Sequence, residues 1–297
     1  PPGAPPPGAP QPGHPHPARE LQRARRPAAH PKRYRRSGLE PPGDQHRAQA
    51  LGYMGNDQLK TPNLDQLASE GVTFTNAVSG CPWCSPFRGA LLTSRYIHRG
   101  VIRTPGRCDP DVPTVADAFN QHGYRTAYFG KWHLGGGPNR MAIPRDERGR
   151  FDIWVGYENN NAQYDCWVHG HDLNGRDDDD PLAEKLESYE TDALTDKLIS
   201  FVDDYGKDQP FFAVLSVQPP HDPHVAPPEY TERFDPDDIQ LRPNVPDIPR
   251  ITERSRRDLA GYYAQIENLD WNVGRVMQTL RNQGLDKNTH VIFFSDH

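Results

Sequence analysis

Apolar residues recur along this chain at two spacings, one typical of helices and one typical of buried strands. Four segments have the helical spacing and end at a glycine, and in one of them Leu194, Leu198 and Val202 share a face with Ile199. These predicted helices are TPNLDQLASEG (61–71), PTVADAFNQHG (113–123), SYETDALTDKLISFVDDYG (188–206) and TERSRRDLAGYYAQIENLDWNVGRVMQTLRNQG (252–284). Short β-branched or continuously apolar runs predict strands, namely YRTAYFG (124–130), FFAVLSV (211–217) and HVIFFSDH (290–297). VTFTNAV (72–78) predicts a strand or the approach to one.

Helix and strand patterns therefore alternate at least three times. This alternation predicts an α/β domain with a mostly parallel central sheet and helices on both of its faces. In such folds, polar residues just after the strands converge on one crevice at the carboxyl edge of the sheet. Three polar segments follow predicted strands in this way, namely GKWHLGG, QPPHDPH and SDH. A fourth, GDQHR, has no recognisable strand before it.

The first 43 residues differ from the rest in composition. Thirteen of the 32 prolines and seven arginines fall here beside few aliphatic residues, so this segment cannot bury enough apolar surface to fold. We interpret residues 1–43 as a disordered Pro/Arg-rich arm or an out-of-frame translation, with a basic arm that grips an anionic polymer as a further alternative. Residues 44–297 have the composition of a globular domain.

Composition also excludes several classes of protein. A net charge of −6 and a pI near 6.1 argue against a nucleic-acid partner, since such proteins are usually basic. Four cysteines are too few for a disulfide-stapled scaffold. No apolar run approaches the roughly 18 residues of a membrane span, and no secretory leader is recognisable. We therefore expect no membrane span, and the sequence assigns no cellular location.

The polar segments contain the residue types of a metal-assisted anion site. Asp44 and Asp296 are carboxylates from distant parts of the chain, and His297 follows the second. Hard divalent cations prefer such oxygen-rich sites, and a histidine or amide oxygen can complete the shell. The segments and the stretch CSPFR also supply four groups that are or can become cationic, namely Arg88, Lys131, His133 and His221. Each segment alone is explained as a helix cap, a solvated turn or a rigid loop, but together they indicate a pocket for sulfate or phosphate.

A longer stretch identifies a family that the chain resembles. CSPFRGALLTSR (84–95) is similar to the Cys-x-Pro-x-Arg and Leu-Leu-Thr-Gly-Arg pattern of formylglycine-dependent (type I) sulfatases, members of the alkaline-phosphatase superfamily. GDQHRAQALGYMGNDQLKTPNLDQLASEGVTFTNA, GKWHLG, PPHDPH and FFSDH match the family in order as well. The Asp-Gln opening and Asp-His close resemble the branch that contains choline sulfatases and phosphonate monoester hydrolases.

The resemblance implies a role for one of two nearby cysteines. Cys84 is then the residue oxidised to formylglycine by a maturase, and Cys81 is incidental. A redox pair of the C-x-x-C kind, or a zinc site that uses Cys108, is the alternative, but no thioredoxin-like context is visible. Cys108 and Cys166 are expected to be free structural cysteines.

The resemblance also implies a reaction and its cofactors. The aldehyde hydrate of residue 84 attacks the sulfur of a sulfate monoester, and its second hydroxyl allows sulfate to leave. Arg88 lowers the pKa of the hydrate, Lys131 binds sulfate oxygens, His133 accepts a proton, and His221 binds sulfate or protonates the leaving oxygen. The implied metal ligands are Asp44, Gln45, Asp296 and His297, with Ca²⁺ as the favoured ion and Mn²⁺ left open.

The expected activity is that of a sulfuric ester hydrolase that acts on a sulfated small molecule or glycan. Two alternatives stay open: a phosphonate monoester or phosphodiester hydrolase of the same superfamily, and an inactive truncated fragment.

Some positions depart from the family pattern. Phe87 stands where serine or alanine is usual, and Ser94 stands where glycine is usual. SGLEPPG replaces the buried strand expected before Asp44, and prolines cannot serve in a central strand. The sequence also stops within its last metal motif. We therefore expect an alkaline-phosphatase-like fold that is incomplete at both ends, with residues 44–297 forming the N-terminal part of the catalytic domain and the C-terminal portion missing. Such a chain is expected to be poorly folded, weakly active or inactive.

Overall fold

Ten strands and six α-helices build the part of the chain that the structure describes. The structure is a computed structural model, and it describes residues 37–40, 42–99 and 106–297. The strands are β1 (Ser37–Glu40), β2 (Pro42–Gly43), β3 (Arg125–Lys131), β4 (Ile153–Tyr157), β5 (Trp167–His171), β6 (Asp177–Asp178), β7 (Glu184–Lys185), β8 (Phe211–Ser216), β9 (Thr289–Val291) and β10 (Phe294–Ser295). The helices are α1 (Pro62–Glu70), α2 (Cys84–Thr93), α3 (Val115–Gln121), α4 (Glu190–Tyr205), α5 (Pro228–Thr231) and α6 (Pro249–Asn282).

The main sheet has a parallel centre and an antiparallel edge. Its strand order is β6-β5-β4-β3-β8-β1-β9, with β7 paired to β5. The five strands from β4 to β9 in this order pair in parallel, whereas β5, β6 and β7 add antiparallel pairs at one edge. Strands β2 and β10 form a separate parallel pair. The predicted α/β class is thus confirmed.

Successive residues of the central strands pack on opposite faces of the sheet, as the pleat requires. In β3, Ala127 and Phe129 belong to one apolar cluster, while Tyr128 between them belongs to another. The first cluster includes residues of α4 and α6, and the second includes residues of α2 and α3. Helices therefore cover both faces of the sheet, as predicted.

Four of the six described α-helices begin and end close to their predicted positions, whereas α2 and α5 were not predicted. Thr114 and Asp117 form a capping box at the start of α3, in which each residue satisfies a backbone amide of the other. At the start of α1, the carboxylate of Asp270 in α6 accepts the amide hydrogens of Asn63 and Leu64 at 3.2 and 2.8 Å. Thr61, the residue before α1, makes no side-chain cap, and its hydroxyl donates to Asp65 instead. No α-helix among the described residues is both long and apolar enough to cross a bilayer.

The strand that the sequence analysis did not find before Asp44 is present. Residues 37–40 form β1, which lies between β8 and β9 and pairs in parallel with both. It ends before the prolines, and Pro42 lies in the short β2–β10 pair, where a missing amide hydrogen is tolerated at the free edge. Residues 1–36 and 41 of the predicted Pro/Arg-rich arm lie outside the described residues.

The prediction of a strand over residues 72–78 is wrong. This segment is not part of any strand, and Val72, Phe74 and Val78 are 80%, 79% and 88% exposed. An alternating pattern indicates a strand only where a neighbouring strand supplies hydrogen bonds and cover. Among the described residues, no strand pairs with this one.

Candidate active site

The two carboxylates of the predicted metal site follow neighbouring strands. In the β2–β10 pair, Gly43 is in register with Ser295, so the next residues of both strands, Asp44 and Asp296, emerge side by side. The backbone amide of Gln45 donates to Asp296 Oδ1 at 3.0 Å, which ties the two segments together. Gln45 has a left-handed backbone (φ 61°) that turns the chain at this point. Residues 252 positions apart thus form one site.

The first turn of α2 brings two more side chains to these carboxylates. Cys84 is the first residue of the helix and Arg88 lies one turn later on the same face. The thiol of Cys84 lies 3.5 Å from Asp44 Oδ1, and Arg88 Nη2 lies 3.5 Å from Asp44 Oδ2. The spacing of the Cys-x-x-x-Arg motif therefore aims both side chains at one carboxylate.

Strand β3 supplies the second cation. Lys131 is its last residue, is completely buried, and pairs through its ammonium group with Asp44 Oδ2. The preceding residue must be glycine, because a Cβ on Gly130 would lie 2.1 Å from the carbonyl oxygen of Ser216. Arg88 Nη1 donates to the Lys131 carbonyl at 3.0 Å and also to the Ser216 hydroxyl. The two cations are thus held in a fixed relation to each other.

The charges of these groups shift their pKa values in different directions. Burial raises the pKa of Asp44, but the cations Lys131 and Arg88 outweigh this effect and hold it well below its usual value. Burial and the negative charge of Asp44 raise the pKa of Asp296. Burial raises the pKa of the Cys84 thiol to about 12, with Lys131 opposing this shift and both carboxylates adding to it. The thiol is therefore neutral at physiological pH and is a weak nucleophile.

A divalent cation fits the centre of this group. One ligand atom from each of Asp44, Cys84, Asp296 and His297 lies within 4.8 Å of the others. Asp296 Oδ2 is buried and has no hydrogen-bond partner, although a carboxylate oxygen in such a position normally needs one. His297 Nδ1 lies 3.1 Å from Asp296 Oδ1, and Gln45 lines the adjoining cavity. Carboxylate, amide and imidazole groups are all suitable ligands for a divalent cation.

The two predicted histidines approach the site from separate loops. His133 has a left-handed backbone (φ 54°), donates its amide to the Glu158 carbonyl at 2.8 Å, and lines the cavity. Burial lowers the pKa of His133 to about 3, and the positive charges of Lys131 and Arg88 contribute, so the imidazole is neutral. His221 also contributes to the low pKa of His133, so the two side chains lie close enough for their charges to interact. The Nδ1 atom of His221 lies 2.6 Å from the carbonyl oxygen of Asp222.

These residues open into a cavity of about 1010 Å³. Its wall combines the polar groups Gln45, Cys84 and His133 with an apolar rim. The rim and the remaining wall are formed by Pro82, Trp83, Ser85, Pro86, Ile97, Gly106, Gly136, Gly137, Glu158 and His297. A cavity of this size accommodates a ligand much larger than sulfate.

All nine predicted residues lie in or near this site, and the structure adds others. Ser216, at the end of β8, hydrogen-bonds to Arg88, and its position after an apolar strand is a signal that sequence analysis could have used. Tyr128 donates to the Lys131 carbonyl, and Glu158 accepts the amides of Gly135 and Gly136 at 2.9 and 3.0 Å. These contacts depend on the tertiary structure and have no local signal. All four cysteines are free.

Comparison with known proteins gives one consistent result. The family model described as Sulfatase matches residues 43–297. The chain is 38% identical over 260 residues to an ulvan-active sulfatase from Formosa agariphila, and 29% identical over 306 residues to an endo-4-O-sulfatase from Bacteroides thetaiotaomicron. These alignments cover 86% of this chain in both cases, but 48% and 57% of the relatives, so the chain spans about half their length. A crystal structure of the Bacteroides fragilis yidJ protein, assigned as a sulfatase, is 29% identical with a TM-score of 0.79, over 91% of this chain and 63% of that one.

Proposed function

Because this chain belongs to the sulfatase family, we propose that it hydrolyses sulfate monoesters at the site around Asp44 and Cys84. One observation carries the proposal: an unpaired, buried carboxylate oxygen of Asp296 adjoins a cluster of metal-ligand atoms, and two buried cations lie beside that cluster. A site with this composition attracts a compact anion with several oxygen atoms.

The proposed metal ligands are Asp44, Gln45, Asp296 and His297. The ion is Ca²⁺ or Mn²⁺, and it supplies positive charge that polarises a sulfate oxygen. Asp44 is already ionised because Lys131 and Arg88 lower its pKa, so metal binding at this ligand needs no proton release. The neutral oxygen of Gln45 adds a donor without adding charge.

The proposed nucleophile is residue 84 after a maturase has catalysed the oxidation of Cys84 to formylglycine by an external oxidant, with loss of the sulfur atom. The hydrated aldehyde offers one hydroxyl for attack on sulfur and a second hydroxyl for release of sulfate. The high pKa of the unmodified thiol supports this assignment, since a neutral thiol is a poor nucleophile. The intact Cys-x-Pro-x-Arg segment is also consistent with maturation.

The remaining side chains have separate roles. Arg88 and Lys131 bind sulfate oxygens and stabilise the charge that develops on them. His133 is neutral because its pKa is low, so it is ready to accept the proton of residue 84. His221 directs Nδ1 at the carbonyl and carboxylate oxygens of Asp222, so that nitrogen carries one proton. The second proton of the imidazolium form, on Nε2, is the one available to the leaving oxygen.

The proposed substrate is a sulfated carbohydrate. Two relatives are named for ulvan and for endo-4-O-sulfate chemistry, which supports a glycan as the substrate class. Trp83, directly before Cys84, lines the cavity and is 73% exposed. An exposed indole ring offers a flat apolar surface on which the apolar face of a sugar ring can pack.

Sulfate release by the purified 297-residue chain tests the proposal. The chain is co-expressed with a formylglycine-generating maturase and incubated with sulfated oligosaccharides, 4-nitrophenyl sulfate and an aryl phosphonate monoester, and the products are measured by ion chromatography. We expect sulfate release that depends on added Ca²⁺ or Mn²⁺. Faster cleavage of the phosphonate than of every sulfate ester would assign the chain to phosphonate hydrolysis, and no turnover of any ester would reject the proposed activity.

A further inference from the structure

The loop that carries His221 is held by buried amides that have no part in the proposed chemistry. Between β8 and α5, the chain passes through Gln218, His221 and His224. Gln218 is completely buried, and its side-chain oxygen accepts the amides of Asn160 and Asn161 at 3.4 and 3.3 Å. The backbone amide of Gln218 donates to the carboxylate of Glu190 at 2.9 Å. The loop is thus anchored before it reaches the histidine.

Two further glutamines hold the loop at His221 itself. Gln265 in α6 donates through Nε2 to the carbonyl oxygens of His221 and Pro223 at 3.3 and 3.2 Å. Gln163 approaches from another loop and donates to the same two oxygens at 3.5 and 3.0 Å. Gln163 is 2% exposed and Gln265 is fully buried, so water cannot easily replace these bonds.

Helix α6 also packs directly against the next part of the loop. A Cβ on Gly261 would lie 2.5 Å from the carbonyl oxygen of His224, so only glycine allows the loop to lie directly on the helix. One turn later, Gln265 Oε1 lies 3.1 Å from His224 Nδ1. The Tyr189 hydroxyl donates to the Val225 carbonyl at 2.8 Å. The loop is therefore fixed on both sides of His221.

We propose that Gln265 and Gln163 are positioning residues that orient the His221 imidazole toward the leaving-group oxygen of the substrate. This inference rests on the proposed function of the site. The side-chain amides of Gln163 and Gln265 donate to the carbonyl oxygen of His221 and so fix its backbone. The ring is fixed as well, because its Nδ1 donates to the Asp222 carbonyl oxygen at 2.6 Å. Backbone and ring are both fixed, so Nε2 points in one direction.

The orientation matters most for esters whose leaving oxygen needs a proton. A sugar alkoxide is a poor leaving group and depends on general acid catalysis, whereas 4-nitrophenolate leaves without help. The hydrogen bonds from Gln163 and Gln265 to the His221 loop form a clamp. Loss of the clamp should therefore slow hydrolysis of sugar or alkyl sulfates selectively. A purely structural defect would slow both classes of ester alike.

The test uses Gln265→Met and Gln163→Met in the full chain, with Gln278→Met as a matched control on an exposed part of α6. We expect each clamp variant to lower kcat for an alkyl or sugar sulfate by about 10-fold and kcat for 4-nitrophenyl sulfate by less than about 3-fold. In a His221→Ala background, Gln265→Met should have no further effect, since both changes remove the same contribution. Equal losses for both esters, or an undiminished effect without His221, would overturn the proposal.

A measurement that needs no turnover separates this inference from the proposed function. In protein labelled at histidine, the ring signals of His221 should be sharp in the parent and shifted or broadened in Gln265→Met, whatever the activity. They should be unchanged in Gln278→Met. If Gln265→Met does not fold, Gln163→Met is measured in the same way. Unchanged His221 signals in a folded clamp variant would overturn the inference even if the parent is an active sulfatase.

Discussion

Lys131 and Asp44 form an ion pair in which neither side chain is exposed to solvent. Arg88 lies 3.5 Å from the same carboxylate oxygen, so two cations face one carboxylate. Asp296 provides the second negative charge next to this group. The four side chains are thus close to neutral together, and a divalent cation would give the site the positive charge that the proposed anionic substrate requires.

Lys131→Met should destabilise the protein in the presence of a chelator. The substitution keeps the length of the side chain but leaves Asp44 buried with only its longer contact to Arg88. We expect the free energy of unfolding to fall by about 3 kcal/mol, and a further Asp44→Asn change to restore part of it. Urea denaturation at neutral pH measures both effects.

The matched control is Lys185→Met, which removes an exposed ion pair with Asp165. Such exposed pairs contribute little to stability because solvent screens them, so this variant should resemble the parent. If Lys131→Met were as stable as Lys185→Met, the buried pair would not contribute to folding.

The two cysteines of the C-x-x-C segment should differ completely in their effect on activity. Cys84→Ala removes the proposed precursor of formylglycine, so sulfate release should fall by on the order of 10³-fold or more. Cys81→Ala should retain most of the activity, because Cys81 does not line the cavity. Kinetics and mass spectrometry of the peptide around residue 84 check this. A loss of activity in both variants would instead indicate that Cys81 and Cys84 act together as a functional pair.

Asp296→Asn should have opposite effects in the absence and presence of metal. Without metal, it removes a buried charge whose pKa is raised by burial and by Asp44, so the melting temperature should increase. With Ca²⁺ or Mn²⁺, it removes a ligand, so the stabilisation by metal should largely disappear. Thermal melting with chelator and with each ion measures both.

Asp247→Asn is the control for this experiment, since it changes an exposed carboxylate far from the cluster in sequence. It should leave the metal-induced shift intact. A full metal response in Asp296→Asn would exclude Asp296 as a ligand.

The elements predicted correctly are those whose signals are local. Helix α3 has its cap and its stop within eleven residues of sequence, and β8 is a continuous apolar run. The candidate site residues came from the family motifs and from the polar segments after predicted strands, although GDQHR had no recognisable strand before it. Helix α2, which places Cys84 and Arg88 on one face, was not among the predicted helices.

The elements that were missed depend on neighbours distant in sequence. Strand β1 has no apolar alternation in its four residues, and only its position between β8 and β9 makes it a strand. Residues 72–78 are the reverse case: their sequence pattern fits a strand, but no described strand pairs with them. The clamp by Gln163 and Gln265 is likewise invisible in the sequence, where both are isolated polar residues.

Trp83→Ala should weaken binding of carbohydrate substrates. If a sugar ring packs on the exposed indole, its loss should raise KM for a sulfated oligosaccharide by about 10-fold with little change in kcat. Trp271→Ala is the matched control, because Trp271 is 46% exposed on α6 and packs on Arg275 instead. Initial-rate kinetics separate KM from kcat. Equal KM values for the two variants would exclude Trp83 from substrate binding.

Glu190 should make the stability of the protein depend on pH. It is buried at the start of α4, where burial raises its pKa from 4.5 to about 7. Between these values the folded protein retains a proton that the unfolded chain releases. Stability is therefore fully present below pH 4.5 and is lost as the pH rises through about 7, by roughly 3 kcal/mol in total.

Glu190→Gln should remove this loss, because an amide does not titrate. Its side-chain oxygen can still accept hydrogen bonds from Tyr157 and the Gln218 amide, as Glu190 Oε1 does. We expect the stability of the variant relative to the parent to increase between pH 5 and pH 8 in urea denaturation, while the exposed control Glu187→Gln stays parallel to the parent. Since other titrating groups are common to both proteins, they cancel in the difference. A constant difference between parent and Glu190→Gln would mean that Glu190 is already ionised in the folded protein at pH 5.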